Sequence, residues 1–137
     1  MRPAIQIRDI DHVVYRVVDL AKIVSFWRDV LGASFEKHQE AIGLYQLRVG
    51  TSLVDLVPVD GKLGRMGGAA PVKEGRNVDH VCFRVDPWDE PAILLHLAAH
   101  GIDAEVTQRY GADGEGPSIY LHDPEGNGIE LKGLGAA

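Results

Sequence analysis

Two histidines, two carboxylates and two arginines recur at matching places in two similar stretches of this 137-residue chain. His12 lies in IDHVVYRVVD (10–19) and His80 in VDHVCFRVDP (78–87), with the Asp-His pair and the final Arg-Val in register. Farther on, LVDLV (53–57) lines up with GIELK (128–132), so Asp55 falls on Glu130. LYQLRV (44–49) lines up with IYLHDP (119–124), so Tyr45 falls on Tyr120. Two imidazoles with one or two carboxylates form a nitrogen and oxygen donor set suited to Mn, Fe, Co, Ni or Zn. A lone strand histidine is ordinarily a half-buried structural residue. Acidic residues are depleted in strands, and here the histidine and the acid both recur, which favours a metal site.

Other residues of these stretches could serve a substrate. If the two runs are strands, Arg16 and Arg84 share a face with His12 and His80, because side chains alternate. Arginine suits bidentate recognition of a carboxylate or phosphate. An anionic substrate is one reading, and ordinary surface ion pairs are the other. In GEGPSIYLHDPEGNGIEL (114–131), Ser118, Tyr120 and His122 also alternate. A tyrosine beside a metal can act as acid, base or hydrogen-bond donor. Asp123-Pro124 and Gly126-Asn127-Gly128 read as turn chemistry. His96 and His100 have helical metal spacing but lack the glutamate of a zincin motif. Cys82 is the only cysteine, which excludes an intrachain disulfide and a thiolate cluster.

The elements that must position these groups repeat as well. His12 to Val18 and Val78 to Val85 are β-branched and aromatic runs that read as strands. Asp19 caps a helix in which Leu20, Ile23, Val24, Trp27, Val30 and Leu31 follow helical spacing, ended by Gly32. In the second stretch Asp86 and Pro87 open the turn into a helix carrying Ile93, Leu94, Leu97 and Ala98, stopped by Gly101. Pro91 fits its first turn. Three strands follow each helix, near 33–39, 43–49 and 52–58, then near 102–106, 117–122 and 128–133. The fold class is therefore α+β, two tandem βαβββ modules within one domain, over about 9–59 and 78–133. Residues 60–77 between them carry five glycines and read as a flexible linker or a lid.

Composition narrows the function. Hydrophobic residues make up 45% and charged residues 25%, as in an ordinary globular protein. A net charge of -6 argues against nucleic-acid backbone binding. No apolar run approaches the ~20 residues of a membrane span, and the N-terminus lacks the apolar core of a signal peptide. The expectation is a cytoplasmic protein acting on a small molecule.

The paired modules with DHVVYRV, DHVCFRV and SIYLHDPEGNGIEL resemble the vicinal oxygen chelate superfamily. That group includes glyoxalase I, methylmalonyl-CoA epimerase, extradiol dioxygenases, fosfomycin-resistance enzymes and bleomycin-binding proteins. The resemblance implies an open, cup-shaped mixed sheet with helices on its outer face, commonly completed by a homodimer. It implies one divalent transition metal per site on His12, His80 and Glu130, with Asp55 as a fourth ligand or a general base. It implies Tyr120 as acid or donor, and Arg16 and Ser118 toward the substrate; Arg84 joins them as the matching arginine of the second repeat. The leading expectation is a metal-dependent lyase or isomerase of the glyoxalase type, stabilising an oxyanion on a small anionic substrate. Glyoxalase I has Glu where this chain has Asp55, and an Asn where it has Val59. The alternatives are fosfomycin-type epoxide opening, which matches Ser118 and Tyr120; an extradiol-type dioxygenase, whose outer histidines would fall on Arg65 and Gly111; and a metal-free binding protein.

Overall fold

The computed structural model describes residues 2–134 and divides into two compact units, Met1–Pro71 and Val72–Ala137. The first unit runs β1 (His12–Val17), α1 (Leu20–Ser25), β2 (Ser34–Gln39), β3 (Leu44–Val49) and β4 (Ser52–Pro58). The second runs β5 (His80–Arg84), α2 (Glu90–Ala99), β6 (Val106–Gly111), β7 (Gly114–His122) and β8 (Gly128–Lys132). Each unit holds one four-stranded sheet, in the order β1-β4-β3-β2 or β5-β8-β7-β6. The first strand of each unit lies parallel to the last, and the remaining pairs are antiparallel. This is the βαβββ module, twice, and neither sheet closes.

Local chemistry explains the elements. Asp19 accepts from the Lys22 amide at 3.1 Å and Asp89 from the Ala92 amide at 3.2 Å, which caps each helix. The second cap is thus Asp89, three residues beyond the Asp86-Pro87 turn expected to open the helix. Pro91 occupies the first turn, where an amide is not needed. The first helix does not stay α to Leu31. Phe26–Val30 widens into a π turn closed by Leu31 N to Phe26 O at 3.3 Å. Gly32, with φ of 73°, then ends it.

Strand positions agree with expectation except for β6, which runs 106–111 rather than 102–106, and β7, which begins at 114 rather than 117. β6 is an edge strand of polar residues (Thr107, Gln108, Arg109), held by its ladder to β7 rather than by apolar alternation. The core of the first unit is Val17, Ile23, Trp27, Leu47, Val54 and Leu56, each almost fully buried. In the second unit Leu97, Ile119, Leu121, Ile129 and Leu131 are buried. Each such side chain contributes about 1.5–3 kcal/mol. Because Ile119 pairs with Leu131 and Leu121 with Ile129, the intervening Tyr120 and Glu130 are turned to the opposite face.

The Gly-rich stretch after β4 is not featureless. Residues Gly64–Gly67 form a 3-10 turn. Arg16 of β1 donates its Nε and Nη2 to Gly64 O at 3.1 and 2.9 Å, its Nη1 to Ala69 O at 3.0 Å, and Nη2 also to Gly68 O. A side chain at Gly67 would collide with that guanidinium. In this unit the segment is a strap held against β1.

Candidate metal and substrate site

In the second unit, β5, β7 and β8 bring His80, Ser118, Tyr120 and Glu130 together on one face. Cys82 is paired with Glu130 across the parallel ladder, and Tyr120 with Glu130 across the antiparallel one. Glu130 Oε1 lies 3.1 Å from His80 Nε2. Its other oxygen accepts from Ser118 Oγ at 2.7 Å. Both Glu130 and Ser118 are buried, at 6% and 0% exposure. The Tyr120 hydroxyl is near enough to Glu130 to influence its carboxylate, and its ring stands edge-on to the His80 imidazole, with centroids 5.5 Å apart.

The electrostatics follow from these contacts. Burial alone would push the Glu130 carboxyl up, but hydrogen bonds from Ser118 and Tyr120 and the nearby His80 charge hold it below its ordinary value. The hydrogen bond that His80 donates to Asp79, with the Glu130 charge adding to it, raises His80. Asp79 Oδ2 lies 2.8 Å from His80 Nδ1. A carboxylate there keeps the proton on Nδ1 of the neutral ring and leaves the Nε2 lone pair facing Glu130.

The first unit carries the corresponding pieces. His12 Nδ1 sits 2.7 Å from Asp11 Oδ1. That hydrogen bond, with the charge of Asp55 adding to it, raises His12. Asp55 is buried at 4% exposure, lies opposite Val14 of β1, and accepts from Gln46 Nε2 at 3.3 Å. Gln46 is in turn bound by Gln39 at 2.9 Å. The ladder corrects one detail of the repeat. Gln46 pairs with Asp55, whereas Tyr45 pairs with Leu56. The positional equivalent of Tyr120 is therefore Gln46, and Tyr45 belongs to the opposite face.

The donor chemistry fits a divalent ion. In each unit an aspartate fixes the outer nitrogen of a histidine, and a buried carboxylate lies near it. These are the supports that metal-binding imidazoles and carboxylates use. Among the described residues, no three His, Cys, Asp or Glu side chains form a ready-made metal-holding group, so what the structure shows is the His80–Glu130 pair and the His12–Asp55 neighbourhood.

The groups expected to meet substrate have protein partners here. Ser118 is fully buried and its hydroxyl donates to Glu130. Arg84 forms an ion pair with Asp113. Arg16 gives its donors to the strap carbonyls. Sequence reasoning gave no role to Asp11, Asp79, Gln46 or Arg109. The Asp-His pair in both repeats was the available signal for the first two.

No helix among the described residues is long and apolar enough to cross a membrane. In sequence, the chain is 26% identical over 132 residues to mitochondrial methylmalonyl-CoA epimerase of Mus musculus, covering 93% of this chain and 72% of that protein. It is 30% identical over 129 residues to a virulence protein of Salmonella typhimurium, covering 89% and 81%. The crystal structure of that virulence protein superposes with a TM-score of 0.77 at 25% identity, over 96% of this chain and 100% of that one. Lactoylglutathione lyase from Agrobacterium tumefaciens shares the fold, with a TM-score of 0.64 at 20% identity, over 97% and 96%. The family model of the Glyoxalase/Bleomycin resistance protein/Dioxygenase superfamily matches residues 9–131. The duplicated βαβββ units and the match across nearly the whole sequence make this chain a member of that superfamily.

Proposed function

We propose that this chain is a divalent-metal-dependent isomerase or lyase of the glyoxalase type, acting on a small anionic substrate with neighbouring oxygens. The carrying observation is the approach of His80 Nε2 to Glu130 Oε1 at 3.1 Å, with Asp79 and Ser118 engaging the far side of each group. The donors we assign are His12, His80 and Glu130. A metal bound by them supplies a Lewis acid that stabilises negative charge on a substrate oxygen.

The chain's own residues do the rest. Ser118 and Asp79 hold the two donors in orientation without contacting substrate. Tyr120, half-exposed beside Glu130, is placed to donate a hydrogen bond to a substrate oxygen. Asp55, fixed by Gln46, is the carboxylate of the first unit assigned to accept a proton. The isomerase half of the reading has support from the similarity to methylmalonyl-CoA epimerase.

The test has two parts. Metal content is measured in the wild type beside His80→Ala and Glu130→Ala, with about one ion per chain expected only in the wild type. Solvent deuterium uptake is then followed by NMR at the carbon next to the carbonyl of methylmalonyl-CoA and of the methylglyoxal–glutathione hemithioacetal. Uptake in either substrate supports proton transfer. Metal-loaded protein that exchanges neither would overturn the isomerase or lyase assignment, and absence of metal after reconstitution would overturn the metal site.

A further inference from the structure

Both arginines that the repeat offers for an acidic substrate are engaged, Arg16 by strap carbonyls and Arg84 by Asp113. A third cation stands beside the second unit's site. Arg109 of β6 places its guanidinium carbon 5.8 Å from the centre of the Tyr120 ring. It lies near enough to the Tyr120 hydroxyl to influence it, and Tyr120 pairs with Glu130 across the ladder. Among the described residues Arg109 takes part in no ion pair. One donor, Nη1, goes to the neighbouring Gln108 carbonyl at 2.9 Å. The rest of the fork is free of any acidic partner.

Its backbone is held in place. The buried Lys132 sends its Nζ to Arg109 O at 2.7 Å. The Lys132 stem lies across Gly111, where an added Cβ would come within 2.8 Å of Lys132 Cε. A glycine at 111 is therefore what lets Lys132 reach and anchor this point of the edge strand. A cation fixed by an aromatic face and an anchored backbone, with no carboxylate of its own, loses little entropy on binding an anion.

We infer that Arg109 receives a carboxylate group of the substrate, beside Tyr120 and Glu130, and that it selects acidic substrates over neutral ones. The placement of the reacting group rests on the proposed function, whereas the preference for an anion belongs to Arg109 and does not depend on turnover.

Malonate serves as the acidic probe and malonamide as its uncharged counterpart. Both are titrated calorimetrically into wild type, Arg109→Ala and Arg109→Lys, with metal loaded and after metal stripping. Arg109→Ala weakens malonate binding by about tenfold or more, as expected for losing a charge-assisted fork. Arg109→Lys keeps part of it, and malonamide binding is the same in all three. Equal malonate affinity in wild type and Arg109→Ala, or no malonate binding to the wild type in either state, overturns the proposal. A parallel loss of malonate and malonamide binding overturns it too. Metal content of the same samples judges the other reading separately. Arg109-dependent malonate binding by protein that takes up no metal on reconstitution would keep this site and sink the metalloenzyme, and full metal with Arg109-independent binding would do the reverse.

Discussion

Ser118 Oγ donates to Glu130 Oε2 at 2.7 Å, which turns the other carboxylate oxygen toward His80. Both residues are buried, so this bond has no water to replace it. Ser118→Ala is expected to destabilise the fold by about 1–3 kcal/mol, the cost of an unsatisfied buried partner. It should also weaken metal binding by about 10–100-fold, the usual effect of losing an outer support. Urea unfolding and competition with a chromogenic chelator measure the two. A variant with lowered stability and unchanged metal affinity would show that Ser118 only packs.

The His80–Glu130 pair makes the metal-free protein pH-sensitive at both ends. Glu130 is lowered from 4.5, so its contribution is fully present above that value and is lost as pH falls through the folded value. His80 is raised from 6.5, so its contribution is fully present below that value and is lost as pH rises through the folded value. The pair therefore adds most stability between pH 4.5 and 6.5. Because the Asp79 hydrogen bond is the largest cause at His80, Asp79→Asn should move the upper edge of that window down. Melting temperatures of chelator-treated protein from pH 4 to 8 test it, and superimposable wild-type and Asp79→Asn profiles would refute it.

Much of this arrangement is legible in the sequence because the sheet writes it there. The β-branched runs carrying His12 and His80 became β1 and β5, and Asp55 and Glu130 took matching ladder positions opposite Val14 and Cys82. Pairing geometry is what sequence similarity missed. Tyr45 and Tyr120 align as letters, but one residue of slip reverses the face of a strand, and Gln46 is the true counterpart. β6 escaped for a different reason, since an edge strand built on Thr107, Gln108 and Arg109 has no buried stripe to announce it. Arg109 escaped with it. The widening of α1 at Phe26 was equally hidden, because i+3 and i+4 spacing of apolar residues does not distinguish α from π closure.

Arg16 predicts the behaviour of the strap. With its donors on the carbonyls of Gly64, Gly68 and Ala69, it opposes opening of a segment that carries exposed Arg65 and Met66. Hydrogen bonds to a charged group are each worth about 1.5–3 kcal/mol when not fully screened. Arg16→Ala should therefore speed tryptic cleavage after Arg65 by about tenfold or more through easier local opening. Arg16→Lys should be nearly as fast, since an ammonium cannot span the three carbonyls that the planar fork reaches. Cleavage at the wild-type rate in both variants would mean that packing alone closes the strap.

Cys82 offers a direct chemical probe of the Glu130 carboxylate. The residue lies at the surface, yet partial burial of its thiol and the adjacent Glu130 charge push it up to about 11. At pH 8 only roughly one thiol in a thousand is then ionised, against about a quarter of a free cysteine, so alkylation should run roughly two hundredfold slower than for a free thiol. Glu130→Gln removes the charge but leaves the burial, so it should accelerate alkylation without restoring the free rate. Filling the site with a divalent cation should act in the same direction by neutralising Glu130. Iodoacetamide rates on wild type, Glu130→Gln and metal-loaded wild type give all three comparisons. A wild-type rate equal to that of free cysteine, unaffected by Glu130→Gln, would show that Cys82 does not sense that carboxylate.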